Sequence, residues 1–255
     1  MDLGSKRIFG LAHLYVQYEH YRDFLKARKK EGYFITMDNS AAEKALVTED
    51  ILIEVVRDLM PHEVISPDHL FDKDNTIKSL NSFVKRMKQE ELYGKVEIFA
   101  VPQGGTKEEW LDCYNYMLIH PDVHTIGMSK LGIPHAFLGQ AKDDQGIMEA
   151  RHECVDLLLQ ADLIKKPLHF LGMGNPLEMK KYVALNNPLF RSTDSCNSVW
   201  SAMCGISWEH GDYRRIKTPH NYFEQKMSEA NIELAISNIE FFHEIFHPEN
   251  QSINK

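Results

Sequence analysis

Three carboxylates and one amide close short β-prone runs in this chain. Asp38 ends Phe34-Ile35-Thr36-Met37, Asp68 ends Val64-Ile65-Ser66-Pro67, Gln103 ends Ile98-Phe99-Ala100-Val101-Pro102, and Asp194 ends Arg191-Ser192-Thr193. In a parallel α/β barrel the strand ends form the rim that carries the chemistry, so three carboxylates and one amide would converge on one acidic, amide-rich mouth. Taken singly, an Asp after a strand has a simpler use, capping the helix that follows. The glycine turns Gln103-Gly104-Gly105-Thr106 and Gly172-Met173-Gly174-Asn175-Pro176 are equally double-edged. Their glycines could let a flat ligand or a phosphate approach the backbone, or simply make tight turns before helices. His243-Glu244-Ile245-Phe246-His247 is a literal match to the zinc-hydrolase helix pattern. Pro248 follows at once and only eight residues remain to supply a third ligand, so the His pair reads better as a helix end that favours cations. No metal site is expected.

The elements that must position these groups alternate between short β-rich runs and longer amphipathic stretches, the pattern of repeated βα units over a parallel sheet. Strands are expected at Ile8 to His13, Tyr33 to Asp38, Glu63 to Asp68, Val96 to Gln103, Thr125 to Lys130, Leu168 to Gly172 and Phe190 to Asp194. Helical periods fill Asp50 to Met60, Thr76 to Leu92, Thr106 to Ile119, Asp144 to Ile164, Pro176 to Leu185 and Asn221 to Phe246. An eighth strand is expected within Ala202 to Trp208. The reading is an α/β fold, a (β/α)8 TIM-type barrel in which residues 1–255 make one domain. In such a barrel the carboxyl ends of the strands carry the chemistry.

Composition bounds the function. The 255 residues are 43% apolar and 26% charged, enough for a substantial core without disulfides. With 29 basic and 37 acidic residues the net charge is −8, so a nucleic-acid partner must be met by a local basic patch. Three basic clusters offer one: Lys26-Ala27-Arg28-Lys29-Lys30, Lys85-Arg86-Met87-Lys88 and Arg214-Arg215-Ile216-Lys217. The third has the stronger claim, because Trp208, Tyr213 and Tyr222 flank it with rings suited to an extruded base. Cys113, Cys154, Cys196 and Cys204 are scattered without a CxxC pair and read as reduced thiols. No leader-like apolar segment and no run of roughly 18 apolar residues is present, so a cytoplasmic location is expected, that of a host if the protein is viral, with no membrane partner.

Six blocks carry a resemblance. Met37-Asp38-Asn39-Ser40-Ala41-Ala42, Ser66-Pro67-Asp68, Val101-Pro102-Gln103-Gly104-Gly105, Thr125-Ile126-Gly127-Met128, His169-Phe170-Leu171-Gly172-Met173-Gly174-Asn175-Pro176 and Ser192-Thr193-Asp194-Ser195 occur in the order of the blocks of the guanine transglycosylases. The chain resembles that superfamily over roughly residues 30 to 200. The resemblance implies that Asp194 is the nucleophile that attacks the sugar carbon and expels guanine, through a covalent sugar ester and with net retention. It implies that Asp38 is the second catalytic carboxylate and manages protons. Asp68 and Gln103 would read the purine, with Gly104, Gly127, Met128, Leu171 and Gly172 against the base.

The departures point to one branch. The tRNA enzymes carry a C-terminal CxC…C…H zinc subdomain that this chain lacks, and in this it is similar to the viral and bacterial deazapurine DNA modification transglycosylases. Met128 stands where a small residue is usual, and the aromatic that follows the first Asp in the tRNA enzymes is absent, leaving Phe71 or Trp200 as candidates for its role. The implied activity is exchange of guanine in DNA for a 7-deazaguanine base such as 7-cyano-7-deazaguanine. Arg214, Arg215 and Lys217 would contact the nucleic acid, a helicase or ATPase partner is conceivable, and no cofactor is needed. The alternatives are a tRNA-guanine transglycosylase, a non-catalytic accessory subunit of one, and, remotely, an HExxH zinc hydrolase.

Overall fold

The computed structural model describes residues 6–43, 47–140, 143–214, 216 and 225–246. Strands β1 (Arg7–Leu11), β2 (Phe34–Asp38), β3 (Glu63–Ile65), β4 (Glu97–Ala100), β5 (Val123–Gly127), β6 (Leu168–Phe170) and β7 (Phe190–Thr193) form one sheet in that spatial order. All six pairings are parallel. Each connection must therefore return the chain from one strand's carboxyl end to the next strand's amino end, and helices make the return. These are α1 (Ala12–Gln17) and α2 (Glu19–Lys30), α3 (Glu49–Leu59), α4 (Lys73–Gln89), α5 (Lys107–Ile119), α6 (Gly132–Leu138) and α7 (Asp144–Gln160), and α8 (Pro176–Ala184). Beyond β7 come α9 (Asn197–Met203), a 3-10 turn at Trp208–His210, and α10 (Glu229–Phe246).

Local chemistry starts these helices. Thr48, Asp72, Thr106, Asp143 and Asn175 each accept a backbone N–H from the first turn of α3, α4, α5, α7 and α8, and Pro176 occupies the opening of α8, where its missing N–H costs nothing. Strand pairing stops earlier than the apolar runs imply. Pro67 and Pro102 lie beyond β3 and β4 and have no N–H to give a neighbouring strand.

Side chains alternate between the two faces of the sheet, and each face has its own filling. Ile35, Met37, Val64, Ile98, Ala100, Ile126, Leu168 and Phe170 join the helices in the main core. On the opposite, concave face Ile65, Phe99 and Val101 form a small cluster with Phe9 and Leu171. Below it lies a polar layer drawn from four strands. Arg191 on β7 grips Glu63 on β3 with both guanidinium arms, at 2.6 and 3.0 Å, and Glu63 also accepts from Thr36 on β2 and Thr125 on β5. Desolvation would push the Glu63 carboxyl up, but the bonds and charge of Arg191 with the two threonine hydroxyls outweigh it and hold the group below its usual range.

The closed eight-stranded barrel expected from the sequence is not formed. Among the described residues the sheet is an open, seven-stranded, all-parallel half-barrel, with β1 at one edge and β7 at the other. Ala202 to Trp208, the expected eighth strand, is the end of α9, a turn through Gly205 and the start of the 3-10 turn. The reason is visible in its hydrogen bonds. Asn238 on α10 accepts from the Trp208 N–H and donates to the carbonyls of Ser198 and Ile206, so a buried amide satisfies backbone groups that a strand neighbour would otherwise serve. The expected final helix begins, within the described residues, at Glu229.

No helix among the described residues is long and apolar enough to cross a membrane.

Candidate active site

Parallel strands place all their carboxyl ends at one edge of the sheet, and Asp38, Asp68, Gln103 and Asp194 all stand there. None of the four serves as a helix cap; Thr48, Asp72 and Thr106, further along their loops, cap α3, α4 and α5, and the N-cap position of α9, Cys196, makes no side-chain cap bond. Their mutual approach is documented by charge. Desolvation pushes the Asp38 carboxyl well above the ordinary 3.8, and the charges of Glu43, Asp194 and Asp68 push in the same direction against one backbone hydrogen bond from Ser40. Asp38 therefore holds its proton into a range where a surface carboxyl has lost it.

Asp68 is held as a flat, oriented acceptor. Asn39 donates to its Oδ1 at 2.7 Å and Gln103 donates through Nε2 to its Oδ2 at 2.6 Å. Burial raises its carboxyl, and the two amides oppose that shift. Each carboxylate oxygen has a second acceptor position left, because one amide satisfies only one lone pair. The amides are themselves fixed: Asn39 also donates to the Ser66 carbonyl, and Gln103 accepts the Phe71 N–H through Oε1. That last bond draws Phe71 into the left-handed region at φ 68°, a costly conformation for a bulky residue, with its ring stacked on His135 at 3.9 Å.

Asp194 is tethered differently. Its Oδ1 accepts the Gly172 N–H at 2.9 Å and a bond from His169 Nε2 at 3.1 Å, whereas no described residue donates to Oδ2. Gly172 sits at φ 63°, a conformation that glycine adopts without strain, and a Cβ there would meet the Lys130 side chain. The neighbouring Thr193 hydroxyl donates to the carbonyls of Phe170 and Met173, pinning the Asp194 loop to the end of β6.

Other expected site residues are placed as follows. Gly127 and Leu171 belong to the concave apolar cluster, where a Cβ on Gly127 would lie 2.7 to 2.9 Å from Phe99, Leu171 and Val101. Gly104 abuts the start of α5, 2.4 Å from the Trp110 nitrogen for an added Cβ, so packing alone accounts for it. Met128 turns its side chain into the main core, and its N–H and carbonyl are spent on His169 and Leu171. Arg214 is exposed and paired with Asp212 at 3.0 Å, whereas Arg215 and Lys217 lie outside the described residues. Trp208 is buried against Phe242 and Tyr213 and cannot offer its ring to a base. Trp200 is half-buried.

The first two basic clusters lie near the ends of α2 and α4, at the sheet edge opposite the carboxylates, and are largely neutralised. Lys26 pairs with Asp58, Arg28 with Glu31, Arg86 with Glu90 and Asp50, and Lys88 with Asp122. Among the described residues no three His, Cys, Asp or Glu side chains are grouped to hold a metal ion. His243 and Glu244 lie on α10, and His247 falls outside the described residues.

Sequence reasoning passed over Asn39 and His169. Each was detectable by position: Asn39 directly follows a strand-end Asp, and His169 has the inward parity of β6.

No protein-family model matches the sequence, and no curated protein matches it. Among solved structures, a crystallised citrate synthase, SbnG, is similar at 15% identity over 81% of this chain and 94% of that one, with a TM-score of 0.42. A variant of the same enzyme gives 14% identity with the same coverage and TM-score. Likeness at that level carries no conclusion about this chain's activity.

Proposed function

We propose that this protein is an enzyme, a base-exchanging transglycosylase that replaces guanine in DNA with a 7-deazaguanine base through an ester between Asp194 and the sugar. The observation that carries the reading is that Asp194, anchored through one oxygen, shares the mouth with Asp38, whose carboxyl is pushed up by burial and by the neighbouring carboxylates. In the first step Asp194 Oδ2 bonds to the anomeric carbon as its bond to guanine N9 breaks. The electron pair leaves with the base, and Asp38 supplies a proton to it. In the second step N9 of the incoming base attacks the same carbon, loses its proton to Asp38, and returns the electron pair to Asp194. Two inversions give net retention.

Base choice falls to Asp68, Asn39 and Gln103. The open acceptor positions of Asp68 suit the N1–H and exocyclic amine of guanine, while Gln103, fully buried, acts through Asp68 by holding its Oδ2. Adenine offers no N1–H. The target bond lies within the stack, so the nucleotide must be flipped or locally melted to reach the mouth.

The test is incorporation of radiolabelled 7-cyano-7-deazaguanine into DNA and tRNA in parallel. Label entering DNA, and none with Asp194→Ala, is the expected result. Label confined to tRNA would reassign the substrate, and no label in either would leave the non-catalytic reading standing in its place.

A further inference from the structure

His169 is a buried titratable side chain at the mouth that the base-exchange steps leave unused. It stands on β6 with only 4% of its side chain exposed. Phe9 stacks on its ring at 5.3 Å and 9°, and Phe99 meets it edge-on at 5.4 Å, so the ring has no room to swing. Both nitrogens are engaged: Nε2 with Asp194 Oδ1 at 3.1 Å and Nδ1 with the Ser192 hydroxyl at 2.9 Å. A carboxylate acting as nucleophile can only accept, so its bond to the ring takes the hydrogen on Nε2 and leaves Nδ1 to accept from Ser192. The carboxylate thus sets the tautomer, and the Ser192 hydroxyl supports it by donating to Nδ1.

We propose that His169 is a positioning residue for the nucleophile: with the Gly172 N–H it ties down Oδ1, presents Oδ2 to the sugar, and makes the carboxylate a better leaving group when the ester is broken. When Oδ2 bonds to the sugar, Oδ1 becomes the ester carbonyl oxygen and keeps the same two donors. When the incoming base displaces the ester, negative charge returns to the carboxylate, and donors already in place stabilise it as it develops. Losing the His169 donor leaves a more basic carboxylate, which still attacks but departs slowly. Ester breakdown should suffer more than ester formation.

This inference rests on the transglycosylase reading, and the experiment separates the two. His169→Phe keeps a ring between Phe9 and Phe99 and removes both nitrogens, His169→Gln returns an amide N–H, and Ser192→Ala removes only the hydrogen bond that steadies the ring at Nδ1. With DNA and labelled 7-cyano-7-deazaguanine, His169→Phe should lower kcat about a hundredfold, the scale for one lost oxyanion donor. KM for the free base should be unchanged, and the covalent enzyme–DNA adduct should accumulate. His169→Gln should recover at least a tenfold part of the loss, and Ser192→Ala should fall between wild type and His169→Phe. Wild-type rates in His169→Phe, or equal losses in His169→Phe and His169→Gln with no added adduct, overturn the positioning role while the base-exchange reading stands. A wild-type protein that exchanges no base overturns both.

Discussion

In the proposed base exchange a carboxyl that keeps its proton is worth more than another negative charge, and the burial of Asp38 among carboxylates pushes it that way. Its raised proton affinity has a cost in stability with a definite sign. Below the ordinary carboxylate value of 3.8 the group is protonated folded or unfolded and contributes no difference. As pH rises above that value the unfolded chain releases the proton freely while the folded chain resists, so folding becomes less favourable until the folded group ionises too. Asp38→Asn removes the titration and can still accept the Ser40 N–H through its amide oxygen. It should abolish exchange yet raise the denaturation midpoint at pH 8, with the gain shrinking toward pH 4, as chemical denaturation at the two pH values would show. Equal midpoints throughout would mean that Asp38 is not held protonated. Asn39→Ala should act on binding, because it frees one oxygen of Asp68 from its amide. KM for the incoming base should rise several-fold with little change in kcat, roughly the 1 kcal/mol expected for one hydrogen bond.

The elements were legible in the sequence where one local signal decides them. Seven strand runs and the capped helices that follow them could be read because alternation and capping are local, and Thr48, Asp72, Thr106, Asp143 and Asn175 are ordinary caps. The ends of strands were overread because pairing depends on a neighbour's register, and Pro67 and Pro102 interrupt it. The eighth strand was misread because Ala202 to Trp208 is apolar enough for a strand, while its partner, Asn238, lies thirty residues on and is polar. The strand-end position of Asp38, Asp68, Gln103 and Asp194 was readable from order alone, but the concave polar layer was not. No local signal links Glu63 to Arg191, which are 128 residues apart. That pair yields a prediction at this scale. Glu63→Ala leaves the Arg191 charge without its partner on the concave face, and breaking a buried pair from one side costs about 3–5 kcal/mol. Urea denaturation should show a loss of that order, and a change below 1 kcal/mol would mean that the pair does not join the strands.

At the scale of the molecule, an open half-barrel keeps what the chemistry needs, because parallel strands deliver their carboxyl ends to one edge whether or not the sheet closes. The seam between β1 and β7 lacks strand pairing, yet Arg191 on β7 reaches Glu63 on β3, so side chains draw the curved sheet together where backbone bonds do not. The net charge of −8 and an acidic mouth oppose a polyanion, an opposition that the raised proton affinity of Asp38 eases. The central claim is the ester on Asp194. The most direct measurement is mass spectrometry of protein incubated with DNA in the absence of an incoming base, denatured and digested. The account predicts a nucleotide-bearing peptide that contains Asp194 and is missing from Asp194→Ala. Free guanine released without any such adduct, or an adduct on another residue, would contradict it.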